Sequence, residues 1–384
     1  MRASYPTYKS TSIPWPDSIP ESWELVKISS VFRERRETVS DKDFAPLSVT
    51  MQGIVPQLET AAKTDNGDNR KKVCAGDFVI NSRSDRKGSA GISHLDGSVS
   101  VISIVLKPLK RLNERYVNYL LTNYYFQEEF YRYGKGIVAD LWSTKYSSMK
   151  GMFIPLPSLE EQTAIANYLD AKTEQINRFI AKKEKLIALL KEQKQAVINE
   201  LLEDKEGKWE RRKLKYVVSM KSGNFIDAVD IHETGDFPVF GGNGLRGFAK
   251  NYTHEGDYVL IGRQGALCGN VNFAYGKFWP SEHAIVCTPK VMFDTFWFGN
   301  AVRSLNLGQY SQSAAQPGIS IGVVSNVSLP FPDYTTQQQI SERIKNEGGR
   351  IDETIIRIEK EIEKVKELKQ SLIAEVVTGR IKVA

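Results

Sequence analysis

The chain is poor in cysteine, in histidine and in long apolar runs. Cys74, Cys268 and Cys287 stand far apart among 384 residues. So small and scattered a set excludes a disulfide framework and offers no CxxC half-site for zinc. His94, His232, His254 and His283 have no ligand-like spacing and no HExxH, and read as solvated or core residues. No apolar stretch approaches the roughly 20 residues that a membrane-spanning helix needs. Met1-Arg2-Ala3-Ser4-Tyr5-Pro6 lacks the basic-then-apolar layout of a secretory leader. The expectation is a cytoplasmic protein in a reducing compartment, without a membrane partner.

Catalytic signatures are missing as well. There is no GxxxxGK[ST] loop to cradle phosphates and no GxSxG elbow. The Asn/Asp-Pro-Pro-aromatic tetrad of a DNA adenine methyltransferase is absent. Gly241-Gly242-Asn243-Gly244 lies between Pro238-Val239-Phe240 and Leu245-Arg246 with no helical continuation, and so reads as a loop. An Asp…Glu-x-Lys nuclease set can be drawn from almost any chain with 26% charged residues, and is discounted. These absences predict a recogniser or a scaffold, with no catalytic residue, metal or cofactor of its own.

What is present is ordinary globular material. Apolar residues are 41% of the chain, enough for a real core, and the length predicts about two to four domains. The net charge of +6 is unevenly placed: +5 over residues 1–157, −1 over 158–205, +2 over 206–332 and 0 over 333–384. This permits a local basic face but does not amount to histone-like basicity.

The chain repeats itself. Trp23-Glu24-x-x-Lys27-Ile28 returns as Trp209-Glu210-x-x-Lys213-Leu214. Gly76-Asp77-Phe78-Val79-Ile80 returns as Gly256-Asp257-Tyr258-Val259-Leu260. Pro155-Leu156-Pro157 with Gln162 returns as Pro330-Phe331-Pro332 with Gln337. The offset in numbering shrinks along the chain, from Trp23 against Trp209 to Gln162 against Gln337, and then stays constant to the C-terminus. Three landmarks in one order define two units, the first lengthened by insertions. Each unit divides into a mixed region and a helical region. In the mixed regions Phe78-Val79-Ile80, Val101 to Leu106 and Tyr258 to Ile261 read as strands, and Glu114 to Tyr133 as a helix with core aromatics.

In the second helical region Ile351, Ile355, Ile358, Ile362, Val365, Lys369, Leu372 and Val376 step alternately by four and three, the spacing of a coiled-coil seam. At the matching positions of the first stand Ile176, Ile180, Lys183, Ile187, Leu190, Lys194, Val197 and Leu201. Each helix could pack on its own domain. The matched seams favour two long helices packed antiparallel on each other, about a pseudo-two-fold axis. Ser158 with Glu161, and Thr335 with Gln338, have capping-box spacing. Gly348-Gly349, and Thr173-Glu174 in the first copy, predict a break into a short and a long helix. Lys182, Lys183, Lys185, Lys360, Lys364 and Lys366 alternate with glutamates and read as a solvated face or partner surface.

Tyr5-Pro6-x-Tyr8-Lys9 … Trp15 … Ile19-Pro20-Glu21-Ser22-Trp23-Glu24-x-x-Lys27-Ile28 resembles the N-terminal opening of one family, the specificity subunits of type I restriction-modification systems. Pro155-Leu156-Pro157-Ser158-Leu159-Glu160-Glu161-Gln162 looks like the start of its central helical region. Ala374-Glu375-Val376-Val377-Thr378-Gly379-Arg380-Ile381 is similar to its C-terminal ending. Pro238-Val239-Phe240-Gly241-Gly242-Asn243-Gly244 and Gly262-Arg263-Gln264-Gly265 are similar to one class of its recognition domain. Gly348-Gly349 and Asn177, where the second copy has Asp352, depart from the pattern.

The resemblance implies an α+β fold of two target-recognition domains, 1–157 and 206–332, separated by antiparallel coiled-coil helices, 158–205 and 333–384. It also implies double-stranded DNA as partner, each domain reading half of an asymmetric bipartite site. The helices would set the gap and dock two methyltransferase subunits, with up to two motor-nuclease subunits joining them. S-adenosylmethionine, magnesium and ATP would sit on those partners. From Ile176 to Glu203 the helix would run roughly 42 Å, comparable to the about 34–36 Å between half-sites one DNA turn apart. The competing class is a coiled-coil scaffold without DNA readout.

Readout of base edges favours Arg, Lys, Asn and Gln, and phosphates accept from Arg, Lys, Ser and backbone amides. In the first domain the polar, Gly-hinged loop after the Phe78 strand offers Arg83, Ser84, Arg86 and Lys87, and a second loop offers Lys135, Lys145 and Tyr146. In the second domain the candidates are Asn243, Arg246, Lys250, Arg263, Gln264 and Gln316. Arg83 and Arg263 are counterparts, since each follows the repeated Gly-Asp-aromatic strand.

Overall fold

A computed structural model describes residues 4–59, 67–109, 112–136, 142–265, 267–311 and 317–383. The chain divides into two compact units: Met1–Lys183 with Lys360–Ala384, and Glu184–Glu359.

The first unit is built around a four-stranded antiparallel sheet in the order Ala90–Ile92, Phe78–Asn81, Ser103–Pro108, Phe32–Glu34. Phe78, Val79 and Ile80 have no exposed surface, so this short apolar run is a central strand covered on both faces. A three-stranded sheet (Gly97–Ser100, Arg70–Val73, Thr38–Val39), the Leu47–Thr50/Gly53–Pro56 hairpin and the Tyr8–Ser10/Ser18–Pro20 pair also belong to the mixed region. Phe153–Leu156 pairs with Glu24–Lys27 and leads into the first long helix, Leu159–Leu201.

The second unit repeats the plan. Its four-stranded antiparallel sheet runs Val271–Ala274, Tyr258–Gly262, Ala284–Pro289, Val218–Ser222. Each strand occupies the place of its counterpart in the first unit. Ser328–Phe331 pairs with Glu210–Lys213, as Phe153–Leu156 does with Glu24–Lys27, and leads into the second long helix, Tyr334–Val377. The units differ beyond this sheet. The second adds Gly244–Ala249, Phe237–Gly241, Lys277–Pro280 and His254–Glu255, with one parallel pairing at Val239↔Trp279.

A buried glutamine ties each mixed region to its helix in the same way. Gln162 Nε2 donates to the Pro157 carbonyl and its Oε1 accepts the Asn113 N–H, at 3.0 and 2.8 Å. Gln337 Nε2 donates to Pro332 and its Oε1 accepts the Asp294 N–H, at 2.8 and 2.9 Å. Asn113 and Asp294 are the N-caps of Glu114–Thr122 and Thr295–Ser304. One amide therefore satisfies a carbonyl at the start of the long helix and an otherwise orphaned N–H at a domain helix. Further up, Tyr119 Oη donates to Asp170 at 2.8 Å, and its hydroxyl is pushed up to about 12, first by burial and then by that carboxylate.

The two long helices pair antiparallel. Lys369 Nζ donates to Asn177 Oδ1 at 2.9 Å and Lys183 pairs with Glu361 at 2.8 Å, both in the first unit. In the second unit Lys194 pairs with Asp352 at 2.6 Å. As the first partner advances from 177 to 194, the second retreats from 369 to 352. Every seam position is shielded. Ile355, Ile358, Ile362 and Val376 are buried, while Ile176, Ile180, Ile187, Leu190, Val197, Leu201, Ile351, Val365 and Leu372 are half-buried. The two lysines of the first seam and the one of the second lie in the same stripe. Burial lowers the pKa of Lys369, which donates to a neutral amide where its counterpart Lys194 meets a carboxylate.

Several sequence expectations are corrected. The expected strand Val101 to Leu106 starts later, at Ser103, because Val101 and Ile102 form an exposed turn. The expected helix Glu114 to Tyr133 is two helices, Glu114–Thr122 and Tyr124–Arg132. Asn123 divides them, its side chain capping the second through the Phe126 N–H. Tyr116, Phe126, Phe130 and Tyr131 are core, but Tyr124, Tyr125 and Tyr133 are exposed. At the first long helix Ser158 Oγ accepts the Glu161 N–H, yet Glu161 does not reach back; its carboxylate accepts from Tyr5 Oη and Trp23 Nε1. The second long helix is capped by Asp333, the positional counterpart of Ser158, which accepts the Thr336 N–H at 3.0 Å; Thr335 is inside the helix.

Neither helix breaks at Thr173-Glu174 or Gly348-Gly349. The shielded stripe continues in phase through the glycines, from Ile340 and Ile344 to Ile351 and Ile355. That burial outweighs the roughly 1 kcal/mol each glycine costs a helix. Gly348 also leaves room for a neighbour: a Cβ there would lie 3.3 Å from Lys194 Cε, whereas one at Gly349 would meet nothing within 4 Å. Gly349→Ala is therefore expected to stabilise the chain by about 1 kcal/mol, read as a higher thermal midpoint. A lower midpoint would show that the backbone needs glycine there.

Candidate nucleic-acid interface

In the first unit the chain leaves the central strand at Asn81 and turns through a short 3-10 helix, Ser84–Arg86. Asn81 Oδ1 accepts the Arg83 N–H at 3.1 Å and holds the turn. The second candidate loop lies directly against it. Ser84 donates its N–H to Trp142, Thr144 donates to Ser82, and Lys135 and Ser143 exchange backbone hydrogen bonds. Arg83 and Ser143 form an isolated bridge. The two loops are thus one patch, with Arg86, Lys135 and Lys145 exposed on it.

Not every predicted residue is equally presented. The Arg83 guanidinium is held bidentate by Asp85 at 3.0 and 3.1 Å. A planar fork matched to one carboxylate has the geometry for a phosphate or a guanine edge once Asp85 is displaced. Lys87 pairs with Glu128 and lies over the Tyr124 ring, so it is turned toward the neighbouring helix. Tyr146 is half-buried against the core, and its hydroxyl is raised chiefly by burial. Ser84 sits at the start of the turn, half-exposed.

In the second unit the equivalent loop carries Arg263 and Gln264, five and six residues after Tyr258, as Arg83 and Ser84 follow Phe78. It too is pinned by a later segment. Ile319 donates to the Arg263 carbonyl, Gly265 donates to Pro317, and Gln264 bridges Gly318. Those residues precede the turn Ile321–Val324, as Thr144 and Lys145 precede Tyr146–Met149. Arg263 Nη1 donates to Ser222 Oγ at 2.9 Å.

The Gly-rich hairpin 241–244 packs on this loop. A Cβ on Gly262 would sit 2.0 Å from the Gly242 carbonyl oxygen, and one on Gly242 would sit 3.0 Å from that of Gln264. Only glycine permits this approach, so the hairpin is a structural contact that presents Asn243 beside Asn270, 3.3 Å away. Arg246 is exposed, with its stem lying over Gly241. Lys250 is not gathered here; it follows the far end of Gly244–Ala249, roughly 20 Å along the strand at about 3.3 Å per residue. It lines a separate cavity of about 400 Å³ with Ile226, His232 and Trp279. Gln316 lies outside the described residues.

Sequence reasoning missed Asp85, Ser222, Glu282 and His283, which contact the predicted residues or their neighbours. The signal of Ser222, Glu282 and His283 is spatial, because strand pairing brings them to the Arg263 loop from elsewhere in the chain; Asp85, two residues after Arg83, is within reach of local reasoning. Among the described residues no group of three His, Cys, Asp or Glu is placed to hold a metal, and no helix is long and apolar enough to cross a membrane.

The fold defines a protein of two repeated mixed units, each clamped to one of two paired long helices. Comparisons place it further. Residues 20–189 and 206–366 match the type I restriction modification DNA specificity domain. This chain belongs to that family. It is 39% identical over 140 residues to the type I restriction enzyme EcoprrI specificity subunit of Escherichia coli, covering 35% of this chain and 34% of that one. The match thus spans about a third of that relative's length. The MjaVIII specificity subunit of Methanocaldococcus jannaschii is 24% identical over 420 residues, covering 95% and 94%. Among solved structures, a chain from a study of complex assembly and conformational transition of the type I R-M system superposes with a TM-score of 0.72 at 16% identity, covering 94% and 99%. The HsdS subunit of Thermoanaerobacter tengcongensis gives 0.53 at 16%, covering 96% and 99%. At such identity these two neighbours speak for the fold alone.

Proposed function

We propose that this chain is the DNA-reading subunit of a type I restriction-modification complex. Domains 1–157 and 206–332 each read one half of a split, asymmetric site. The helical regions 158–205 and 333–384 set the gap and dock two methyltransferase subunits, which up to two motor-nuclease subunits join. Adenine-N6 methylation and ATP-dependent cleavage, with S-adenosylmethionine, magnesium and ATP, belong to those partners. The observation that carries the reading is the doubled loop. Arg83 and Arg263 leave equivalent strands of equivalent sheets, and each loop is braced by a later segment of its own unit. Two copies of one platform with different side chains suit two different half-sites.

The test is methylation-sensitive long-read sequencing of the source cells with the gene for this chain intact and deleted. Loss of N6-methyladenine from one split motif is expected on deletion. An unchanged methylome, together with no salt-dependent binding of the full chain to duplex DNA, would leave the scaffold reading in its place. Returned to the deletion strain, Arg83→Ala or Arg263→Ala is expected to cost about 1–3 kcal/mol and to relax the motif in one half only. Unchanged motifs in both variants would remove these arginines from the interface.

A further inference from the structure

Gln264 is the exposed member of a hydrogen-bonded pair with a half-buried histidine, which lies beside a carboxylate. His283 Nδ1 lies 2.7 Å from Gln264 Oε1, and His283 Nε2 lies 3.1 Å from Glu282 Oε1. The backbone of this turn is held firmly. Ser281, wholly buried, donates its N–H to Phe240, and the His283 carbonyl accepts the Arg263 N–H at 2.8 Å. The turn and the Arg263 loop are therefore joined through their backbones.

The chemistry of the pair is directional. An amide oxygen only accepts, so Nδ1 of His283 donates in this contact. An Nδ1 without a proton would accept instead. A glutamine amide answers either state by turning, presenting Oε1 to a donor and Nε2 to an acceptor. The atom left facing outward is the opposite one. In the arrangement seen, Oε1 faces the ring and the amino group faces out. An outward amino group suits guanine O6 and N7 or thymine O4; an outward oxygen suits the amino groups of adenine or cytosine.

We propose that His283 is a positioning residue that sets which end of the Gln264 amide faces DNA, and with it the base preferred at one position of the second half-site. The inference rests on the DNA-reading function proposed above. It belongs to the second unit. In the first, the turn before the equivalent strand Ser103–Pro108 carries Val101 and Ile102, 45% and 41% exposed and unable to form such a pair. One half-site is therefore read with this device and the other without it.

The experiment returns variants of the full chain to the deletion strain and reads the methylated motif. Gln264→Ala identifies the position, where discrimination is expected to fall at least about fivefold, the effect of one lost base contact. His283→Ala is expected to relax the same position and no other. His283→Ala combined with Gln264→Ala should relax it no further than Gln264→Ala alone. A general loss of stability would lower methylation at every site without changing the motif. If the intact chain restores no motif, the DNA-reading function falls and this inference with it. If it restores one, and His283→Ala leaves it unchanged or alters a position other than that of Gln264, the inference alone is overturned.

Discussion

Trp23→Ala is expected to destabilise the first unit by about 4 kcal/mol, within the range for removing a buried tryptophan. Trp23 is 1% exposed, meets the Tyr5 ring edge-on at 5.8 Å and donates Nε1–H to Glu161 at 3.0 Å. It also bears on the end of the second long helix. Gly379 has φ +76°, and a Cβ there would lie 3.2 Å from the indole and 2.4 Å from Pro20. The loss thus combines a cavity with a carboxylate deprived of one donor. Burial, then Glu161, holds the Tyr5 hydroxyl above its ordinary range, so this oxygen stays protonated and keeps donating. Urea unfolding of the full chain checks the magnitude. The counterpart Trp209 is only half-buried, so Trp209→Ala should cost clearly less. Equal losses would mean that the N-terminal segment is not packed as described.

Gln337→Leu is expected to cost the second unit about 3 kcal/mol, because leucine fills similar space but leaves the Pro332 carbonyl and the Asp294 N–H without a partner, at about 1–3 kcal/mol for each buried group. Asp294 is also the cap that accepts the Trp297 N–H at 2.7 Å, so the domain helix should fray from the same end. Hydrogen exchange would show it as lost protection in the first turn of Thr295–Ser304. A change under about 0.5 kcal/mol, no more than an ordinary surface substitution produces, would mean that the glutamine only accompanies the joint. Gln162→Leu repeats the test in the first unit, and similar losses at both sites would establish the clamp as a property of the repeat.

Much of this architecture is legible in the residues. A seam needs only periodicity, and the alternation of fours and threes puts apolar side chains on one stripe whatever else the chain does. The repeat is visible because both copies solve the same packing problem with the same residue types: Gly-Asp-aromatic before a central strand, Pro-x-Pro and glutamine before a long helix. Even the Asp333 cap follows from the constant offset between the helical regions, although capping-box spacing alone points to Thr335.

Other features depend on distance in space. The glycine pair reads as a break because propensity is local, while the burial that carries the helix through it comes from the facing helix. Strand order is not legible, because strands such as Phe78–Asn81 and Phe32–Glu34 are joined through a third, Ser103–Pro108, far along the chain. The loops after the central strands are identifiable by composition. Their partners are not, since Ser143, Ser222, Glu282 and His283 reach them only through sheet pairing and backbone bridges. The sequence by itself determined the two repeats, the helical seams and the polar character of the candidate loops, because periodicity and residue chemistry act over a few neighbouring residues. Only the tertiary structure decided which distant residues those loops meet, because hydrogen bonds between distant segments exist only once the sheets have assembled.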